Sequence, residues 1–81
     1  MECDKGKVSE LLREVDAEEN EPIETYRTMI EENCFAQAKV FRLGDNYLVY
    51  MVDEERACVE VVGNLDEARE VAKRFTDSVC T

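Results

Sequence analysis

The sequence predicts a small α+β domain of two layers, with two N-terminal helices, a three-stranded antiparallel meander and a C-terminal helix (ααβββα). Three observations predict it. Apolar residues recur with a helical period in the first 33 residues, with a period of two from 34 to 62, and with a helical period again after residue 64. We therefore expect one domain over residues 1–81, made of an acidic helical part (1–33), the meander (34–62) and the last helix (64–79).

The first third of the chain is expected to be helical. Apolar residues of the first helix share one stripe at i, i+3, i+4 and i+7, namely Val8, Leu11, Leu12 and Val15. A second helix is expected from Pro22 to about Asn33, because proline suits the first helical turn, where its missing N–H costs nothing. Glu21 and Glu24 would complement the dipole of that helix. One kinked helix is the alternative.

The middle of the chain alternates apolar and polar residues, as half-buried strands do. The predicted strands are Phe35–Arg42, Tyr47–Val52 and Ala57–Val62. The links between them, residues 44–46 and 53–56, are short and polar. Because parallel strands need long crossovers, short links indicate an antiparallel meander.

The two faces of this meander are expected to differ in role. A tight second turn pairs Tyr50 with Val59 and gives an inner core face of Leu48, Tyr50, Val52, Ala57, Val59 and Val61. A three-residue first turn, with Asn46 in the left-handed conformation, would place Val40 beside Tyr50. The outer face would then be a candidate interface formed by Phe35, Phe41, Tyr47, Val49, Met51 and Val62. A slip of one residue in the first turn would exchange the faces of the first strand.

The last helix has the clearest signals. Asn64 and Glu67 have the spacing of a capping-box variant, in which each side chain satisfies a backbone N–H at the helix start. The apolar stripe that follows is Leu65, Ala68, Val71, Ala72, Phe75 and Val79. We expect this helix to pack on the sheet.

Composition argues against several classes of function. The formal net charge is −10, and residues 1–33 contain eleven acidic against four basic residues. Nucleic-acid binding and adsorption to anionic membranes both need a basic surface, so neither is expected. The chain has no His and no Gly-rich phosphate loop, so we expect no cofactor, no metal and no catalytic residues. Because its first residues do not form a signal peptide, a cytoplasmic location is expected.

Two smaller sets of residues, one around Glu60 and the other the four cysteines, each allow an alternative interpretation. Glu60 lies in mid-strand among apolar neighbours, and with Cys58 and Lys39 it would make a ligand-binding or enzymatic site. The four cysteines are read as free buried thiols, or as a staple that joins Cys3 to Cys80. The spacing does not favour a zinc site.

The chain resembles two known families. The first resemblance lies in the order of the predicted elements, and the second spans about half of the chain. The order helix–three strands–helix resembles double-stranded-RNA-binding domains, but the start of the last helix reads Leu65-Asp66-Glu67 where those domains have a basic cluster. The segment from Asp45-Asn46-Tyr47 to Gly63-Asn64-Leu65-Asp66-Glu67-Ala68 is similar to HicB-type antitoxins, although their Pro/Gly-rich link before the last helix is missing. The first resemblance therefore does not imply RNA binding, and no family assignment follows from either.

The sequence thus favours a non-enzymatic, acidic protein-interaction domain. We expect a homodimer formed through the outer sheet face or a sheet edge, and an acidic surface suited to a basic partner. The alternative is an inhibitor or antitoxin-like protein that masks a nucleic-acid-binding site on its partner.

Overall fold

The computed structural model describes residues 1–30 and 34–79. Its elements are α1 (Lys5–Glu14), β1 (Glu24–Ile30), β2 (Cys34–Leu43), β3 (Asn46–Asp53), β4 (Ala57–Val62) and α2 (Leu65–Val79). The four strands form one antiparallel sheet in the order β1-β2-β3-β4. The observed order αββββα corrects the predicted ααβββα.

The segment predicted to be the second helix forms strand β1 instead. Its residues pair with β2 from Glu24 opposite Val40 to Ile30 opposite Cys34. The sequence Thr-Tyr-Arg-Thr is rich in β-branched and aromatic residues, which suit a pleated surface better than a helix. The prediction was wrong because it gave more weight to Pro22 and the apolar spacing than to this preference. The end predicted for that helix, Asn33, lies outside the described residues.

The first predicted helix is confirmed as α1. Asp4 caps it, since its Oδ2 atom accepts a hydrogen bond from the Lys7 backbone N–H at 3.1 Å. Val8 and Val15 of the predicted stripe are buried. Beyond the helix, Asp16 has a φ of +54°, a left-handed conformation that aspartate tolerates better than most residues.

The first hairpin has a shorter turn than predicted. Leu43 lies opposite Asn46, so the loop contains two residues, and Gly44 takes the positive φ of +61°. Val40 therefore lies opposite Val49 rather than beside Tyr50. This change of register exchanges the two faces of β2 relative to β3.

The second hairpin has the predicted register. Val52 lies opposite Ala57, Tyr50 opposite Val59, and Leu48 opposite Val61. In the turn, the Oδ1 atom of Asp53 accepts hydrogen bonds from the backbone N–H groups of Glu55 and Arg56, at 2.8 and 2.9 Å.

The predicted C-terminal helix and its cap are also confirmed. Asn64 Oδ1 accepts the Glu67 backbone N–H at 2.8 Å, and Glu67 Oε2 accepts the Gly63 N–H at 3.3 Å. The carboxylate reaches one residue further back than in the usual capping box, because it bonds Gly63 rather than the cap residue.

The two helices cover opposite faces of the sheet, so the domain has three layers rather than the predicted two. On the α2 face, Ala68 and Ala72 pack against buried residues of the sheet. These sheet residues are Ala38, Val40, Val49, Met51 and Cys58. On the α1 face, Val8 and Val15 cover Phe41, Leu48 and Val59. The small side chains of Ala68 and Ala72 let α2 approach the sheet closely.

Candidate functional site: the two edges of the sheet

The residues predicted to form an outer interface do not share one exposed face. Those of β3 and β4, namely Tyr47, Val49, Met51 and Val62, belong to the cluster packed under α2. Phe35 and Phe41 lie on the opposite face, because the two-residue turn shifts the register of β2. Val49 and Met51 are core residues that α2 covers completely. The second apolar face that the sequence shows is therefore explained by the second helix layer.

The structure also separates the members of the possible ligand-binding or enzymatic set. Lys39 pairs with Tyr50 on the α1 face, whereas Cys58 lies on the α2 face and is disulfide-bonded. Glu60 is paired with the terminal ammonium group of Met1 at 3.3 Å. No common pocket joins these three groups among the described residues.

A disulfide joins Cys3 to Cys58, across 55 residues of sequence. The predicted staple between Cys3 and Cys80 is therefore corrected, and Cys80 itself lies outside the described residues. Cys34 is disulfide-bonded as well, so the interpretation of the cysteines as free thiols is wrong for all three described cysteines. A crosslink between distant residues stabilises a small domain mainly by restricting its unfolded chain.

The edge formed by β4 is covered by the chain's own N-terminus. Glu2 forms an isolated antiparallel bridge with Val59, whose backbone N–H and C=O groups each make a hydrogen bond with it, at 2.7 and 2.8 Å. We call residues Met1–Asp4 the N-terminal arm. Because of the arm, the centre of this edge does not present free backbone groups.

The edge formed by β1 is different, since no described segment pairs with its outer side. On the α1 face of β1, Thr25, Arg27 and Met29 are exposed, and Met29 has 64% of its surface accessible. The cluster packed under α1 does not include the neighbouring Phe35 and Val52, which are half-buried. Among the described residues, α1 does not cover this end of the face, which lies beside the edge strand β1.

On the α2 face, a small polar network ties β1 to α2. The Arg69 guanidinium donates from Nε to both carboxylate oxygens of Glu24, at 2.9 Å each, and the Tyr26 hydroxyl donates to the same carboxylate at 2.8 Å. The hydrogen bond from Arg69, followed by that from Tyr26, lowers the pKa of Glu24 below its usual value. Desolvation, together with the hydrogen bond to Glu24, raises the pKa of Tyr26. The network holds the edge strand against the helix.

The depressed pKa predicts how this network responds to acid. A carboxyl group with a lowered folded-state pKa stabilises the fold above its unfolded-state pKa and loses this effect as the pH falls through the folded-state value. We expect Glu24→Gln to lower the melting temperature at pH 7, and the difference from the parent chain to be smaller at pH 3. Thermal unfolding followed by circular dichroism at both pH values measures this. Glu54→Gln, at an exposed turn position, is the control, and an equal difference at both pH values would contradict the assignment.

A ligand-binding cleft, a metal site and a membrane-spanning helix are less well supported by the described residues than an interface at the sheet edges. A cleft of about 540 Å³ lies between the end of α1 and the sheet, and Arg13, Asp16, Lys39 and Tyr50 line part of it. Its charges are of both signs, and they do not select one ligand. No group of three metal-binding side chains occurs within residues 1–30 and 34–79. Neither described helix is long and apolar enough to cross a membrane.

Comparison with known proteins identifies no relative: no family model, no curated protein and no solved structure matches the chain. The resemblance to double-stranded-RNA-binding domains also loses its basis in topology, since the sheet has four strands. The two sheet edges are therefore the features of the described residues that best suggest a function.

Sequence reasoning placed β4 at an edge of the sheet, but it missed the edge strand β1 and the arm that covers β4. The signal for β1 was present in the alternation of Thr25, Arg27 and Met29 with Tyr26 and Thr28, which places successive residues on opposite faces of a strand. No comparable signal marks the arm, because a single bridging residue has no periodicity.

Proposed function

We propose that this chain is a non-enzymatic protein-interaction domain that forms a homodimer by pairing β1 with β1 of a second copy. The two strands would lie antiparallel about a two-fold axis and join two four-stranded sheets into one of eight strands. Main-chain hydrogen bonds supply the contact in such strand addition, and side chains on the two faces set its register.

The observation that carries the proposal is the different treatment of the two edges. Exposed strand edges are templates for pairing with other chains, and natural proteins usually cover or interrupt them. Here β4 is covered by the N-terminal arm, with a disulfide holding the arm in place. The seven residues of β1 have no such cover among the described residues, and contain no Pro or Lys. An edge left open in a domain that protects its other edge is best explained by a partner.

The side chains beside β1 give the partner surface an apolar part. Met29 is largely exposed, and Phe35 lies opposite it on β2. Both lie at the end of the α1 face that α1 leaves uncovered, next to Val52. A second sheet joined at β1 would extend this surface and bury Met29.

The sequence of β1 favours a second copy as the occupant. In the register centred on Thr28, Arg27 lies opposite Met29 of the partner, so the aliphatic part of the arginine packs on the methionine. A register centred on Arg27 would place two like charges opposite each other, which is unfavourable. The strand therefore complements a second copy of itself in the register centred on Thr28, whereas the register centred on Arg27 is unfavourable.

Long-range charge sets a condition on this dimer. Each chain carries a net charge of −10, so two copies repel one another at low ionic strength. Salt screens this repulsion, with a Debye length of about 10 Å at 0.1 M. The dimer is therefore expected to be tighter at 0.3 M than at 0.03 M sodium chloride.

The test is the mass in solution of the full chain and of Met29→Lys. Fully burying a methionine side chain is favourable by about 1.5–3 kcal/mol relative to leaving it exposed. A symmetric dimer contains two copies of Met29, so the substitution removes this contribution twice. We expect the dissociation constant to rise at least tenfold, which corresponds to about 1.4 kcal/mol. Sedimentation equilibrium over a range of concentrations measures it.

Val61→Lys is the matched control, because Val61 is also an exposed apolar strand residue, with 44% of its surface accessible, but lies on β4. It should leave the dimer unchanged. The proposal fails if the parent chain is monomeric up to 1 mM, or if Val61→Lys weakens the dimer as much as Met29→Lys.

A further inference from the structure

We infer that β4 is a second strand-pairing edge, which the disulfide-held N-terminal arm closes and which reduction of the Cys3–Cys58 bond opens to a second copy of the chain. This inference concerns the opposite edge from the proposed dimer and does not depend on it.

The non-covalent contacts of the arm are few. Its only backbone pairing with β4 among the described residues is the Glu2–Val59 bridge, with two hydrogen bonds. The ion pair between the Met1 ammonium group and Glu60 is solvent-exposed, with 41% and 31% of the two side chains accessible. Exposed ion pairs contribute little to stability, and two backbone hydrogen bonds alone hold a segment only weakly. The disulfide is therefore the main restraint on the arm.

The position of the disulfide suits this restraining role. Cys3 directly follows Glu2, and Cys58 directly precedes Val59, so the covalent bond lies beside the bridge. Cys58 is 2% exposed and belongs to the core under α2, whereas Cys3 is only partly buried. Loss of the bond would free the arm while Cys58 stays packed.

The opening step is thiol–disulfide exchange with a dithiol reductant. A thiolate of the dithiol attacks the Sγ atom of Cys3, and the Cys3–Cys58 bond breaks to leave Cys58 as a thiolate, which takes up a proton. The second thiol of the reductant then displaces Cys3 as a thiol and closes the reductant's own disulfide. Two electrons pass from the reductant to the protein, and both cysteines end as thiols.

The uncovered edge would present a strongly β-forming strand. The N–H and C=O groups of Val59 point outward, as their bonds to Glu2 show, and those of Ala57 and Val61 point the same way because outward residues alternate along a strand. Glu60 is the only charged residue of β4, which has no Lys or Pro to block pairing. Without the arm, this edge lacks the usual protections.

A second copy is the occupant that the sequence of β4 fits. In the antiparallel register centred on Val59, each Ala57 lies opposite Val61 of the other chain. The contacts on that face are then apolar, and a β-branched side chain lies opposite a small one. The same register brings no two like charges directly opposite, because Glu60 lies opposite Cys58.

The first measurement is the mass of Cys3→Ser, which removes the bond but keeps Cys58 in the core. We expect its average mass at 0.5 mM to be about twice that of the parent chain if the parent is monomeric. If the parent is already the β1 dimer, we expect more than twice, because each dimer then has two opened β4 edges. Adding Val61→Lys to this variant places a charge at the opened edge and should restore the parent mass. Cys34→Ser breaks the bond of a different cysteine and should not raise the mass.

The second measurement is amide hydrogen exchange in the double variant Cys3→Ser/Val61→Lys, in which pairing is blocked. The Val59 amide should exchange at least tenfold faster than in Val61→Lys alone, while the amides of β2 and β3 keep their protection. Unchanged protection of Val59 would overturn the inference, because the arm would then be held without the disulfide. Equal loss of protection across the whole sheet would overturn it too, since the disulfide would then hold the entire fold.

Discussion

Met51→Glu is expected to lower the free energy of unfolding by about 4 kcal/mol or more, a large part of the total stability of a domain of this size. Met51 is completely buried between β3 and α2, in a cluster with Ala38 and Ala72. An ionised carboxylate there would have no partner in the apolar cluster, and a protonated one would still leave polar atoms without hydrogen bonds. Urea denaturation followed by circular dichroism measures the loss.

Met29→Glu provides a control with the same pair of residue types. Met29 is 64% exposed on β1, so its substitution should leave the unfolding free energy of the monomer within about 0.5 kcal/mol. If Met51→Glu remained as stable as the parent chain and only lowered its mass in solution, Met51 would be an interface residue, as the sequence had suggested, and the position of α2 would be wrong.

Leu48→Ala is expected to cost about 2–5 kcal/mol, because it removes a large side chain from the core under α1. Leu48 is completely buried on β3 and packs with Phe41, Val59 and the apolar stripe of α1. Because the surrounding core relaxes only partly into the vacated space, a cavity remains. The difference in urea midpoint, at an unchanged denaturant slope, gives the value.

Val61→Ala is the matched control for this second prediction. Val61 lies directly opposite Leu48 on the same face of the sheet, but 44% of its surface is accessible. We expect a loss of no more than about 0.5 kcal/mol. Similar losses for Leu48→Ala and Val61→Ala would mean that α1 does not cover the centre of this face.

The elements that were predicted correctly are those whose local sequence pattern agrees with the way they pack in the fold. The stripe of α2 and its cap at Asn64 were both predicted correctly, and so was the register of the second hairpin. These features depend on contacts between residues that are close in sequence, or on alternation in a strand of clear pattern. They therefore required no knowledge of the rest of the fold.

The errors arose where distant parts of the chain decide the structure. Segment 24–30 is a strand because β2 offers it a partner, and this pairing is absent from any local pattern. A turn shorter by one residue, with Gly44 at positive φ, exchanged the faces of β2 and led to a wrong set of interface residues. The pairing of Cys3 with Cys58 depends on the arm lying beside β4, and spacing alone does not predict such connectivity.

The most direct test of the proposed β1 dimer is an isotope-filtered NOE experiment on an equal mixture of labelled and unlabelled chains. Mass alone shows that two copies associate, whereas intermolecular NOEs identify the strands that touch. We expect NOEs between backbone protons of β1 and those of β1 in the partner, centred on Thr28. Intermolecular NOEs confined to α1, α2 or β4, or none at a concentration where the mass is that of a dimer, would contradict it.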